Sequence, residues 1–170
     1  MNVRDGDPGG DYVARVAAAV TPLFELPAAP ERSCLPHDKG SARVRLAVAD
    51  LIAFAAASDL AESRRFYEDT LGLPLVSDEA PIACVFDANG TMLRVTAVPE
   101  VASAGYTALG WIVADIETTI GDLVGRGVGF LRFDGMDQDD IGIWTAPSGD
   151  RIAWFADPAS NVLSLTQPRT

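Results

Sequence analysis

Histidine, cysteine and long apolar runs are nearly missing from this chain, and each absence closes off a class of function. The single histidine is His37, and the two cysteines are Cys34 and Cys84. One imidazole gives a histidine-rich metal centre, or a nucleophile that needs a histidine base, very little to draw on. Two cysteines in a chain without a secretory leader read as free thiols rather than as a disulfide framework. The longest apolar run, around residues 46 to 57, is broken by Asp50 and falls short of the roughly 18 residues a spanning helix needs. No basic start leads into an apolar run with a cleavage site, so no membrane partner and a cytoplasmic location are expected. Basic residues are scarce too: 13 Lys and Arg face 24 Asp and Glu, a net charge of −11. Nucleic acid is thereby disfavoured as a partner, because phosphates demand a basic face.

What is present suits one domain. At 170 residues and 48% hydrophobic composition the chain can bury a sizeable core. Residues 1–45 stand apart: they hold Gly9-Gly10, five of the eleven prolines and His37. Their charges cancel, Arg4, Arg15, Arg32, Lys39, Arg43 and Arg45 against Asp5, Asp7, Asp11, Glu25, Glu31 and Asp38. Tyr12 to Val20 can form a short helix that Thr21-Pro22 stops. This part reads as a flexible or loosely docked N-terminal extension, and residues 46–170 as the folded domain, which carries the whole net charge.

The domain is organised around Ser58 to Gly72, which carries both ends of a helix. Ser58 or Asp59 caps its start, Glu62 takes the acid place of a capping box, Gly72 supplies a left-handed stop and Pro74 blocks continuation. Ser63, Phe66, Tyr67 and Leu71 form its packing face, leaving Arg64, Arg65, Glu68 and Asp69 to water. An apolar stretch, Leu51 to Ala57, precedes it as a strand. The arrangement recurs: Thr107 to Val113 is strand-like and runs through Asp115 into a helix closing near Gly125 to Gly127. Such duplication fits one supersecondary unit used twice.

Strands follow each helix. In the first copy they are Pro74 to Val76, Ile82 to Phe86 and Thr91 to Ala97, the last two joined by the turn Ala88-Asn89-Gly90. In the second, Val128 to Phe133 is expected as a strand, then an acidic loop and Ile141 to Trp144. Arg151 to Phe155 and Asn161 to Leu165 close the fold around the turn Asp157 to Asn161. The fold class is α+β, with a βαβββ unit used twice.

Three stretches carry a resemblance: Ser58 to Ser63 with Phe66-Tyr67 and Leu71-Gly72, then Val113-Ala114-Asp115-Ile116, then Trp154 to Pro158 leading to Asn161 to Leu165. In this order and spacing the chain resembles the vicinal oxygen chelate superfamily, which includes glyoxalase I, bleomycin-resistance proteins and extradiol dioxygenases. The resemblance implies a curved mixed sheet around a cup-shaped pocket, a homodimer and a small organic ligand. In metal-dependent members four strands each project a ligand into the cup. Those places fall here at Ile52, Arg94, Leu109 and Ser164, none of them suited to a divalent metal. Shifting the alignment by one or two residues adds only Asp50. No metal and no other cofactor is expected.

The remaining candidates each have a plainer reading. Arg94 sits in an apolar strand and either holds an anionic ligand or pairs with an acidic side chain. Phe54, Trp111, Trp144, Trp154 and Phe133 either line a pocket for a flat aromatic ligand or form core. Ser164 and Cys84 lack a histidine base and read as structural. Asp134 to Asp140 lacks the spacing and closing glutamate of a calcium loop. Gly125 to Gly129 follows its helix, whereas a phosphate-cradling loop precedes one. The ligand-binding set is therefore Phe54, Arg94, Trp111, Trp154 and Ser164. The expected function is metal-independent binding of a small organic molecule, anionic or aromatic. The alternative is an enzyme of the same superfamily, a lyase, dioxygenase or cofactor-free isomerase.

Overall fold

A computed structural model of the chain describes residues 46–102 and 105–169. The expected N-terminal extension, with its helix at Tyr12 to Val20, lies outside the described residues.

Strand β1 (Ile52–Ala57) leads to Asp59, whose carboxylate accepts the Glu62 backbone N–H at 2.9 Å and caps α1 (Leu60–Arg65). A π-helical turn (Phe66–Thr70) extends it, and Gly72 turns left-handed at φ 74°. Three strands follow: β2 (Leu75–Glu79), β3 (Ala83–Ala88) and β4 (Thr91–Ala97). Asn89 and Gly90 both take positive φ, 54° and 86°, as a tight hairpin between β3 and β4 requires. The second unit repeats the plan with β5 (Thr107–Ile112), α2 (Ile116–Gly125) capped by Asp115, β6 (Trp144–Thr145), β7 (Arg151–Ala156) and β8 (Val162–Gln167).

Each unit forms its own four-stranded mixed sheet, ordered β1-β4-β3-β2 and β5-β8-β7-β6. In both, the first strand lies parallel to the last and the other pairs are antiparallel. The helical segment of each unit covers one face. Tyr67 packs on Ala55, Ala57, Cys84, Phe86, Leu93 and Val95, while Ile116, Ile120 and Leu123 pack on Ala153, Phe155, Leu163 and Leu165. Phe66, Leu71 and Leu109 touch both clusters and weld the units together. Ser63 is also fully buried, and among the described residues its hydroxyl has no hydrogen-bond partner.

The segment expected as a strand from Val128 to Phe133 is not one. It makes a single bridge, Phe130 to Phe155, and a 2.7 Å bond from Leu131 N to Trp154 O. The Gln138 side chain takes over the ladder: its Oε1 accepts from Phe133 N at 2.8 Å, and its Nε2 donates to Leu131 O and Gly142 O at 3.1 and 2.9 Å. The acidic loop is ordered from within as well. Asp139 Oδ1 accepts from Ile141 N and Ile143 N, and the Arg132 guanidinium donates to the carbonyls of Asp139 and Asp140.

Candidate ligand site

Strand geometry sends alternate side chains to opposite faces. On β1, Ala53, Ala55 and Ala57 face the helix, so Ile52, Phe54 and Ala56 face away. On β4, Leu93 and Val95 face the helix, and Met92, Arg94 and Thr96 face away. Parallel pairing sets Ile52 beside Met92 and Phe54 beside Arg94. This open face keeps its apolar groups in water: Ile52 is 45% exposed, Phe54 62% and Met92 45%. Arg94 stands among them, ion-paired with Glu79 at 2.8 Å.

The corresponding face of the second sheet is closed by its own chain. Trp154 pairs with Ser164 across β7 and β8, and both are buried. Phe133 meets Trp154 edge-on with ring centres 5.6 Å apart, Trp144 lies 6.2 Å away, and Leu131 and Met136 complete the cover. The Trp154 indole donates to Thr107 Oγ1 at 3.1 Å. Gly110 lies opposite Ser164 at such close approach that a Cβ there would sit 2.7 Å from Ser164 Oγ.

Trp111 points the other way. It is half-buried, stacked on Phe155 at 6.4 Å, and lines a cleft of about 280 Å³ between the units with Leu51, Ala53, Thr91, Leu93 and Leu109. Of the five expected site residues, Phe54 and Arg94 thus stand together on an open face, and Trp154 and Ser164 stand together in core. Trp111 lies on the reverse of its sheet. Ile52, Met92 and Glu79 join the open face. Period-2 parity with Phe54 and Arg94 points to the first two, whereas Glu79 arrives from β2 and has no local signal.

The place expected at Leu109 faces the helix, and Gly110 holds the position opposite Ser164. Ile52, Arg94, Gly110 and Ser164 do not fit a divalent cation. Among the described residues no group of three or more His, Cys, Asp or Glu could hold one. Cys84 is a free, buried thiol whose pKa is pushed up by burial and then by the Asp78 charge, which keeps it protonated and a poor nucleophile.

The sequence profile of the Glyoxalase/Bleomycin resistance protein/Dioxygenase superfamily matches residues 48–165. The chain belongs to this superfamily. Solved members of the glyoxalase superfamily share its fold. A lactoylglutathione lyase from Agrobacterium tumefaciens superposes with a TM-score of 0.56 at 16% identity, covering 71% of this chain and 93% of the other. A glyoxalase/bleomycin resistance protein from Catenulispora acidiphila gives 0.54 at 20% identity, covering 71% and 98%. A superfamily member from Sphaerobacter thermophilus gives 0.51 at 24%, covering 70% and 98%. At these identities the likeness is one of fold. No curated protein matches the chain in sequence. Among the described residues no helix is long and apolar enough to cross a membrane.

Proposed function

We propose that this glyoxalase-superfamily protein binds a small anionic organic molecule, without a metal, on the open face of its first sheet. The observation that carries the reading is Arg94, a guanidinium set among Ile52, Phe54 and Met92 and met by the Glu79 carboxylate. A ligand carboxylate can displace Glu79 and take paired N–H donors, while its hydrocarbon part covers exposed apolar surface. The outer edge of β2, unpaired among the described residues and with Val76 exposed, supports assembly as a homodimer.

The experiment is a calorimetric titration of matched aromatic acids and their amides against the wild type and Arg94→Met. Charge-assisted bonds of about 1.5–3 kcal/mol make the acid about ten- to a hundredfold tighter than the amide. Arg94→Met removes that difference and leaves amide binding unchanged. Equal affinity of acid and amide for the wild type overturns the reading.

A further inference from the structure

We propose that the chain's own N-terminal segment, residues 12–26, docks on the open face of the first sheet and competes there with ligand. The uncovered apolar path begins before the sheet. Leu46 and Val48, in the turn Leu46–Val48, are 81% and 84% exposed, and Leu51 follows at 74%. Ile52 and Phe54 carry the path onto the open face, where Met92 widens it. Bare apolar side chains clustered in this way, interrupted by Asp50, mark a surface that meets a partner.

The tether selects which partner. Residues 1–45 end where this path starts, so anything apolar in them is delivered to the face. Residues 12–26 hold Tyr12, Val13, Val16, Val20, Leu23, Phe24 and Leu26, with Arg15 and Glu25 between them. The Arg94–Glu79 pair offers both signs of charge to Glu25 and Arg15. The connecting residues 27–45 have a covalent reach of at most roughly 65 Å, enough to bring the segment back over the sheet. A tether of that length holds the segment at an effective concentration on the order of millimolar. A second copy at micromolar concentration competes poorly with that. The docking does not depend on a ligand, although ligand and segment share the face.

Limited trypsin digestion of the full chain reads the docking directly, with cleavage after Arg15 followed by mass spectrometry. Two variants test the two sides. Phe54→Ser alters an exposed position on the face, and the pair Val20→Asp with Leu23→Asp leaves the residues around the Arg15 bond, and all those described in the fold, unchanged. Cleavage after Arg15 is expected to be on the order of tenfold faster in both, because it follows the undocked population. Wild-type protection is expected to be unchanged by a hundredfold dilution. Wild-type cleavage as fast as in the variants overturns docking, and protection untouched by Phe54→Ser overturns the assignment to this face. Protection that fades on dilution shows instead that a second copy covers the face.

Discussion

The Tyr67 hydroxyl donates a 2.8 Å hydrogen bond to Asp157 Oδ2, joining the helical segment of the first unit to the last turn of the second. Asp157 also accepts from Ala159 N, Asn161 N and Asn161 Nδ2, and Asn161 Nδ2 reaches Ala56 O at the end of β1. The units are thus bonded as well as packed. Burial, followed by the Asp157 charge and hydrogen bond, raises the Tyr67 pKa far above its ordinary value.

Tyr67→Phe is expected to cost about 1.5–3 kcal/mol at neutral pH, the worth of a hydrogen bond to a charged group. The pH dependence has a defined sign. Unfolded tyrosine ionises near pH 10 while folded Tyr67 stays neutral, so its contribution is intact below pH 10 and lost as pH rises further. Wild-type stability then falls by about 1.4 kcal/mol per pH unit from this group, and Tyr67→Phe lacks that component. Urea unfolding from pH 8 to 11 measures both effects. Parallel curves for the two proteins would refute the assignment.

Gln138 bonds three backbone groups that have left the sheet. Gln138→Leu keeps the bulk and strands Phe133 N, Leu131 O and Gly142 O, at an expected cost of about 2 kcal/mol. Because the same loop covers Trp154, the change should also red-shift the tryptophan emission. Unchanged stability and emission would mean that water replaces the amide freely.

Ser63 gives the opposite sign. Its buried hydroxyl lacks a partner among the described residues, so Ser63→Ala removes a desolvation penalty and improves helix propensity. The melting temperature is expected to rise, by the equivalent of about 1 kcal/mol. A lower melting temperature would show that the hydroxyl is satisfied in solution.

Gly110→Ala forces a Cβ against Ser164 Oγ and is expected to cost about 1–2 kcal/mol. Ser164 Oγ is the side-chain atom within 4 Å of that Cβ, so adding Ser164→Ala should recover most of the loss. The double-mutant cycle by chemical denaturation checks this. Additive effects would place the strain elsewhere.

Helix starts and tight turns were legible because single residues decide them: Asp59, Asp115, Asn89-Gly90 and Gly72 all act as their chemistry dictates. Strands β1, β4, β7 and β8 were legible from apolar content. Val128 to Phe133 shows the limit. Its apolar content reads as a strand, yet its ladder partner is a side chain five to seven residues on, and no local pattern encodes that substitution. The open face was half legible. Arg94 among apolar neighbours is a local anomaly, but its partner Glu79 reaches it through two hairpin registers. The side of the sheet that Trp111 takes was not legible, because an aromatic residue on a strand does not announce its face. Only the strand register, through its pairing with Leu165, fixes that.

Parallel pairing of the first and last strands in each unit bears on how the chain emerges from the ribosome. β1 cannot find its neighbour until β4 has been made, but by Ala97 the first unit owns all four of its strands. It can therefore condense while β5 to β8 are still being synthesised. Phe66 and Leu71 must then wait, apolar and uncovered, for the second helix, and Tyr67 for the turn at Asp157. During that interval the first unit exposes an apolar flank that the second unit later covers.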